Sequence, residues 1–317
     1  MFVILMATYN GENYIEEQIH SIIGQSYKDW FLLVCDDGSS DGTISILDKY
    51  AREYPDKIKV ITNTSEKHGA ANNFFFLLGN APSGDYYVFC DQDDVWSEDK
   101  LQVLSREYKK YDASIPTLIY HNLKIVDQKL QVLSESFSQY TELELNLQEP
   151  FFDLVKYNYI PGCAMSFNNS LMKSIRLGGE GICIHDWWVI LICAAIGKIY
   201  YIDKPLTLYR QHDTNTIGIM SKAHGFGLIK RYLSIEKLRK VFGMLRRGKL
   251  ESYNILDELN QAYGDTLQPE IKLIVDKNLH YMTCKNKVAA LAWGMKKKNR
   301  QKGLIKNIYY WMSTLDQ

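Results

Sequence analysis

Four short apolar runs alternate with amphipathic stretches over the first ninety residues, and three of the four runs end in polar clusters. No other feature constrains the fold of this chain as tightly. Residues 2–7, 30–35, 58–62 and 86–90 have the length and side chains of buried strands. Between them, Ile15, Ile19, Ile22 and Ile23 recur at helical spacing until Gly24, Ile44, Leu47 and Ala51 mark a second helix, and 70–78 predicts a third. Strands that alternate with helices predict an α/β fold with a mostly parallel sheet flanked by helices. Ligands of such sheets bind beyond the carboxyl ends of the strands. Here those ends carry Thr8/Tyr9/Asn10, Asp36/Asp37 and Asp91/Asp93/Asp94, and that coincidence predicts a site.

Each cluster suggests a chemistry. Carboxylates as crowded as Asp91, Asp93 and Asp94 repel one another and call for a positive partner. Oxygen donors suit Mg²⁺ or Mn²⁺, which would offset the charge of a leaving diphosphate. A surface turn capping the next helix is the plainer alternative. Asp36-Asp37-Gly38-Ser39 reads either as a turn or as a pyrimidine site, where a carboxylate accepts a ring N–H and Tyr9 stacks on the base. Neither a GxGxxG fingerprint nor a P-loop occurs, which argues against dinucleotide dehydrogenases and P-loop kinases. Downstream, a glycine-rich turn containing Gly179 and Glu180 precedes His185-Asp186-Trp187-Trp188. A sugar transfer with inversion needs one base for the acceptor hydroxyl, and Asp186 is the candidate. Gly179, Glu180, His185, Trp187 and Trp188 form a weaker candidate pocket for sugar or acceptor, since paired tryptophans are more often core. Arg210 is a candidate for diphosphate oxygens and His212 for the metal.

Lys+Arg and Asp+Glu balance at 37 each, so the whole-chain charge gives no reason to expect a nucleic-acid partner. The distribution is uneven, however. Residues 221–317 carry 19 basic and 8 acidic side chains, leaving 18 and 29 for residues 1–220. An acidic catalytic domain over 1–220 and a basic helical C-terminal region over 221–317 are therefore expected. The six cysteines form no CxxC pair, so neither a structural zinc site nor a disulfide framework is expected. The start of the chain lacks a signal-peptide pattern and no run reaches the roughly 18 apolar residues of a membrane span. A cytoplasmic location follows as the expectation.

Three segments resemble glycosyltransferase family 2: Ala7-Thr8-Tyr9-Asn10-Gly11, the run Asp36-Asp37-Gly38-Ser39-Ser40-Asp41, and Asp91-Gln92-Asp93-Asp94-Val95-Trp96. His185-Asp186-Trp187-Trp188 and Tyr209-Arg210-Gln211-His212 are similar to its bacterial rhamnosyltransferase branch, and the resemblance covers roughly residues 1–220. It implies a GT-A fold and direct displacement with inversion at the anomeric carbon. By position, Thr8, Tyr9 and Asp37 would meet the nucleotide, with Asp36 and Glu12 close by. Asp91 would sit near the ribose and metal, Asp93 would be the principal ligand of Mn²⁺ or Mg²⁺, and Asp186 would be the base. His212 would reach the metal or diphosphate. The implied donor is dTDP-L-rhamnose, with UDP-galactose, UDP-glucose or a UDP-N-acetylhexosamine as alternatives. The implied acceptor is a glycan or lipid-linked glycan. One departure is Ala7, where many members carry proline. Beyond 220 no motif matches.

Two readings compete: a non-catalytic nucleotide-sugar scaffold, and a nucleotidyltransferase that makes the activated sugar. The second would need a cationic phosphate loop after the first strand, and Thr8-Tyr9-Asn10-Gly11-Glu12 has no cation. In the C-terminal region, Arg246-Arg247-Gly248-Lys249 and Lys296-Lys297-Lys298-Asn299-Arg300 suit either an anionic membrane surface or a solvated helix face.

Overall fold

The structure, a computed structural model, describes residues 1–141, 147–156, 158–177, 184–212 and 235–283. In the helix that begins at Ile235, side chains are described at 248 and from 250 onward. The N-terminal half unfolds in the expected order: β1 (Phe2–Thr8), α1 (Ile15–Ile23), β2 (Trp30–Asp36), α2 (Thr43–Glu53), β3 (Ile58–Thr62), α3 (Ala70–Asn80) and β4 (Tyr86–Asp91). The strands β3, β2, β1 and β4 lie side by side and parallel. Parallel strands are covered on both faces, which is why they read as continuous apolar runs. Along β1, Phe2, Ile4 and Met6 face one core with α1, α2 and the later helix α4 (Lys100–Tyr108), while Val3 and Leu5 face a second core under α3.

Beyond β4 the sheet becomes mixed. The remaining strands are β5 (Val95–Trp96), β6 (Thr117–Val126), β7 (Val132–Ser134), β8 (Met165–Asn168) and β9 (Lys198–Arg210). The order is β3-β2-β1-β4-β8-β6-β9-β5, with β7 paired to β6. β8 is antiparallel to both β4 and β6, whereas β6 and β9 run parallel. The sheet is thus parallel over its N-terminal half, β3-β2-β1-β4, and mixed over the rest, which the expectation of a mostly parallel sheet did not separate. β6 and β9 are also longer than the apolar patterns at 118–122 and 199–202. Their register shifts near Asn122 and Pro205, where polar residues and a proline without a ladder donor interrupt the apolar run.

Short helices α5 (Phe137–Thr141), α6 (Pro150–Leu154) and α7 (Asn169–Ser174) connect these strands, and α8 (His185–Ile196) follows. Ten of the twelve residues of α8 are buried. A helix apolar all round must be covered on every side, and here α3, α6 and β9 pack against it. Each of its large side chains withdrawn from water contributes roughly 1.5–3 kcal/mol. Gly197 then lets the chain pass from α8 into β9 beneath Pro116: a Cβ at that position would lie 2.1 Å from the Pro116 carbonyl oxygen.

Two further helices, α9 (Ile235–Tyr263) and α10 (Pro269–Thr283), continue the chain. Ile255, Leu256, Leu259 and Tyr263 of α9 belong to the same core cluster as α8. Ser252 Oγ donates to the Val155 carbonyl (2.6 Å), and Tyr263 Oη donates to the Ser174 carbonyl (2.6 Å). The expected boundary at 220 and the clusters at 246–249 and 296–300 lie outside the described residues or side chains. Among the described residues no helix is long and apolar enough to cross a membrane.

Candidate active site

The register of the parallel strands draws the three polar clusters together. Thr8 pairs with Asp36 across β1 and β2, and Ala7 pairs with Asp91 across β1 and β4. Each cluster follows directly from a strand end, so one edge of the sheet carries all three.

On the β2 side, Asp36 is buried and fully engaged. Its carboxylate accepts from the backbone N–H groups of Gly38 (2.9 Å) and Ser39 (2.7 Å), from Ser39 Oγ (2.6 Å) and from Thr8 Oγ1 (3.0 Å). Gly38 takes φ +91°, which favours glycine, so the loop turns sharply around that carboxylate. Thr8 and Asp36 therefore hold the loop together: the Asp36 carboxylate, expected close by the nucleotide, is taken up by the loop itself, and the Thr8 hydroxyl, expected to meet the nucleotide, donates to it. Asp37 is reached from the β3–α3 segment, accepting from Asn63 Nδ2 (2.8 Å), Gly69 N (2.6 Å) and His68 Nδ1 (2.9 Å). Its neighbour Tyr9 is 56 % exposed. Gln92 holds the Tyr9 backbone at both ends, accepting from its N–H and donating to its carbonyl at 3.0 Å each. Glu12 accepts from Gly42 N (2.6 Å) and ties the first loop to α2.

On the β4 side, one ligand atom each from Asp91, Asp94 and Cys163 lies within 4.8 Å of the others. Burial pushes the Asp91 carboxyl up to about 7, and the charges of Asp93 and then Asp186 add to the effect. Asp94 is also driven well above the usual carboxylate range, first by burial and then by Asp93 and Asp91. It is wholly buried; one oxygen accepts from Arg210 N (3.1 Å), and the other has no partner. Asp93 meets His212 Nε2 at 2.8 Å, and the His212 ring stacks on Tyr14 at 5.0 Å. Converging carboxylates with an orphaned buried oxygen fit a divalent cation. Hard cations prefer oxygen donors, and burial keeps the Cys163 thiol protonated. Asp91 and Asp94 are therefore the convergent oxygen donors that could hold Mg²⁺ or Mn²⁺, while the other expected ligands, Asp93 and His212, pair with each other beside that cluster.

Arg210 does not face this space. Its side chain is 2 % exposed and is consumed by the Asp93 carbonyl (2.7 Å), the Gln128 carbonyl (2.7 Å) and Glu17. The diphosphate role expected of it is corrected: Arg210 clasps the loop after β4 to α1 and to the β6–β7 turn.

Asp186 opens the first turn of α8 and is buried. Burial pushes its carboxyl up to about 6, against hydrogen bonds from the Asn158 amide and the Gly162 N–H; its Oδ1 has no partner. Its charge is felt at Asp91, so base candidate and acidic cluster share one electrostatic site. His185 stacks on Phe74 at 3.9 Å, and burial pushes it down to about 3, so the ring is neutral. Trp187 and Trp188 are 3 % and 0 % exposed, and their indole N–H groups donate to the Leu154 (2.7 Å) and Arg176 (3.0 Å) carbonyls. With no face left over, they are core residues, the more frequent role of paired tryptophans, and not part of the weaker candidate pocket. Gly179 and Glu180 lie outside the described residues.

Gly162 supports this corner by its lack of a side chain. A Cβ there would lie 3.1 Å from His185 Nε2 and 3.4 Å from Asp186 Cβ. Gly162→Ala is expected to displace Asp186 and to cost about 1–3 kcal/mol. Denaturant unfolding measures the cost, and unchanged stability and activity would refute the close fit.

Several site residues escaped the sequence reading. Lys100 is 0 % exposed, donates to the Cys163 carbonyl and Thr207 Oγ1 at 3.0 Å each, and lies over the Trp96 ring at 3.9 Å. Burial pushes its ammonium down to about 8. Its signal was legible: Lys100, Leu104 and Tyr108 share one apolar helix face at i, i+4 and i+8. Cys163, Asn158 and Gly162 carry no local pattern at all.

Known proteins with related sequences and folds bear on this geometry. The family model described as glycosyl transferase family 2 matches residues 3–173. A dTDP-rhamnosyl transferase of Shigella flexneri, RfbG, is 28 % identical over 259 residues, covering 76 % of this chain and 84 % of its own. TarS of S. aureus, solved with UDP-GlcNAc, superposes with a TM-score of 0.55 at 15 % identity, over 99 % of this chain and 90 % of that one. A mannosyltransferase of Pyrobaculum calidifontis, solved with GDP-Man and Mn²⁺, gives 0.53 at 16 % identity, over 92 % of this chain and 74 % of that one. At these identities the two solved structures show the GT-A fold alone.

Proposed function

Because the chain belongs to glycosyl transferase family 2, we propose that it is a metal-dependent, inverting glycosyltransferase moving L-rhamnose from dTDP-L-rhamnose to a glycan or lipid-linked glycan. One observation carries the mechanism: a buried carboxylate with an unpartnered oxygen, Asp186, within electrostatic reach of the Asp91/Asp93/Asp94 cluster. The Shigella flexneri relative supports the choice of donor.

The ionised Asp186 takes the proton of an acceptor hydroxyl as that oxygen attacks the anomeric carbon. The bond from that carbon to the diphosphate oxygen breaks, its electron pair leaves with the nucleoside diphosphate, and the configuration inverts. Tyr9 stacks on the base and Asp37 accepts a ring N–H. A divalent cation held at the Asp91/Asp93/Asp94 cluster, with His212 beside it, would offset the negative charge of the diphosphate. Where the acceptor is lipid-linked, the basic clusters beyond residue 220 would meet the anionic inner face of the membrane.

Thermal-shift titration with Mn²⁺ or Mg²⁺ tests this reading against dTDP-rhamnose, UDP-galactose, UDP-glucose and UDP-N-acetylglucosamine. A metal-dependent rise of about 5 °C is expected for dTDP-rhamnose at roughly a hundred times its Kd. A larger rise with a UDP-sugar would replace the donor, and no rise with any donor would refute donor binding.

A further inference from the structure

A cavity of about 290 Å³ lies against β6, α5 and the loop 158–164, apart from the nucleotide and metal clusters. We propose that it seats a pyranose ring of the acceptor on the far side of the loop that holds Asp186; the proposal rests on the transfer reading above.

The connecting element is the loop 158–164. One side of it holds the base through the Asn158 amide and the Gly162 N–H. Its other residues, Tyr159, Ile160, Pro161 and Ala164, line the cavity. A ligand in the cavity is therefore one loop thickness from the base.

The lining has the chemistry of a sugar site. Tyr120, Phe137, Tyr159 and Tyr201 supply aromatic surface for the C–H face of a pyranose. Tyr201 and Ser138 add hydroxyls to the lining, 3.5 Å apart; outside the lining, Tyr201 Oη donates to Asp203 (2.9 Å) and Ser138 Oγ lies 3.0 Å from Ser136 Oγ. His121 adds an unsatisfied acceptor. Its Nδ1 lies 2.7 Å from the Asn122 carbonyl oxygen, which can only accept, so the ring proton sits on Nδ1. Burial holds the ring neutral, which leaves the Nε2 lone pair buried and without a partner. The volume falls just below the roughly 300–1,000 Å³ of pockets for drug-sized ligands, and so suits one ring better than a long prenyl chain.

Saturation-transfer NMR tests the proposal on the full chain with dTDP and Mg²⁺. The probes are the octyl β-glycosides of glucose, galactose and N-acetylglucosamine, and octyl α-L-rhamnoside. Leu147→Trp and Ser138→Trp fill the cavity from exposed and half-buried positions, and Leu273→Trp, on the exposed face of α10, is the control. Saturation of ring protons is expected for at least one probe, falling about tenfold in both filled variants but not in the control. Three results would overturn the proposal: undiminished ring saturation in the filled variants, saturation confined to octyl protons, or no ring saturation from any probe. The donor-induced rise in melting temperature is read in the same samples. A wild type lacking that rise removes the transfer reading itself, whereas a wild type showing it confines failure to the acceptor seat.

Discussion

Asp186→Asn is expected to lower sugar transfer by about 10²–10⁴-fold, the range of a lost general base, without lowering the melting temperature at pH 7. The carboxylate has been withdrawn from water with one oxygen unpartnered, and burial pushes it up to about 6. That is the wrong side of the balance for stability and the right side for catalysis. Above pH 6 the charged form is carried in a site that disfavours it, and an isosteric amide removes the penalty while losing the base. The pH dependence has two parts with opposite signs. Transfer by the wild type should be half-maximal near pH 6 and rise to a plateau above it, because the base works ionised. The native state holds the Asp186 proton more tightly than the unfolded chain, whose carboxyl titrates near 3.8. Its stabilising contribution is therefore full below that value and is lost as pH rises through about 6. In Asp186→Asn this component of the pH–stability curve should vanish. Near-normal turnover by the variant at pH 7.5 would sink the assignment.

Asp93→Asn is expected to lower transfer on the order of 10²–10³-fold, as for loss of a charge that stabilises the transition state. It should also abolish the metal dependence of the donor-induced thermal shift. Asp93 is 18 % exposed and paired with His212, while Asp94 is wholly buried. Its charge helps raise both Asp91 and Asp94. Removing it should let both carboxyls ionise more readily, so the variant should be no less stable than the wild type at neutral pH even as it loses the ion. Measuring the shift with and without EDTA separates the cases. A variant that keeps a full metal-dependent shift would show that the ion is held without Asp93.

The fold of the first ninety residues and the positions of the three polar strand ends were legible in the chain. Parallel strands buried on both faces must be apolar runs, and the helices between them must carry a stripe. Each polar cluster follows its strand by one or two residues, so strand order alone brings Thr8, Asp36 and Asp91 to one edge. Asp186 was legible as a base only by its motif. Nothing in its neighbourhood of sequence reveals the Asn158 amide, the Gly162 N–H or the burial that makes it a competent base. Those come from a loop more than twenty residues away, which only packing delivers.

Tertiary structure also decided which polar residues face a ligand. Arg210 sits beside His212 in sequence, yet β9 turns its guanidinium inward to two carbonyls and Glu17 while His212 meets Asp93. Trp187 and Trp188 follow the base directly, but the coverage of α8 on all sides makes them core. Local pattern determined where the chain forms strands and helices and where polar clusters interrupt them, because periodicity and turn chemistry act over a few residues. Which of those polar atoms remain unpaired depended on contacts between distant segments, because burial and hydrogen-bond partnership are properties of the packed molecule alone.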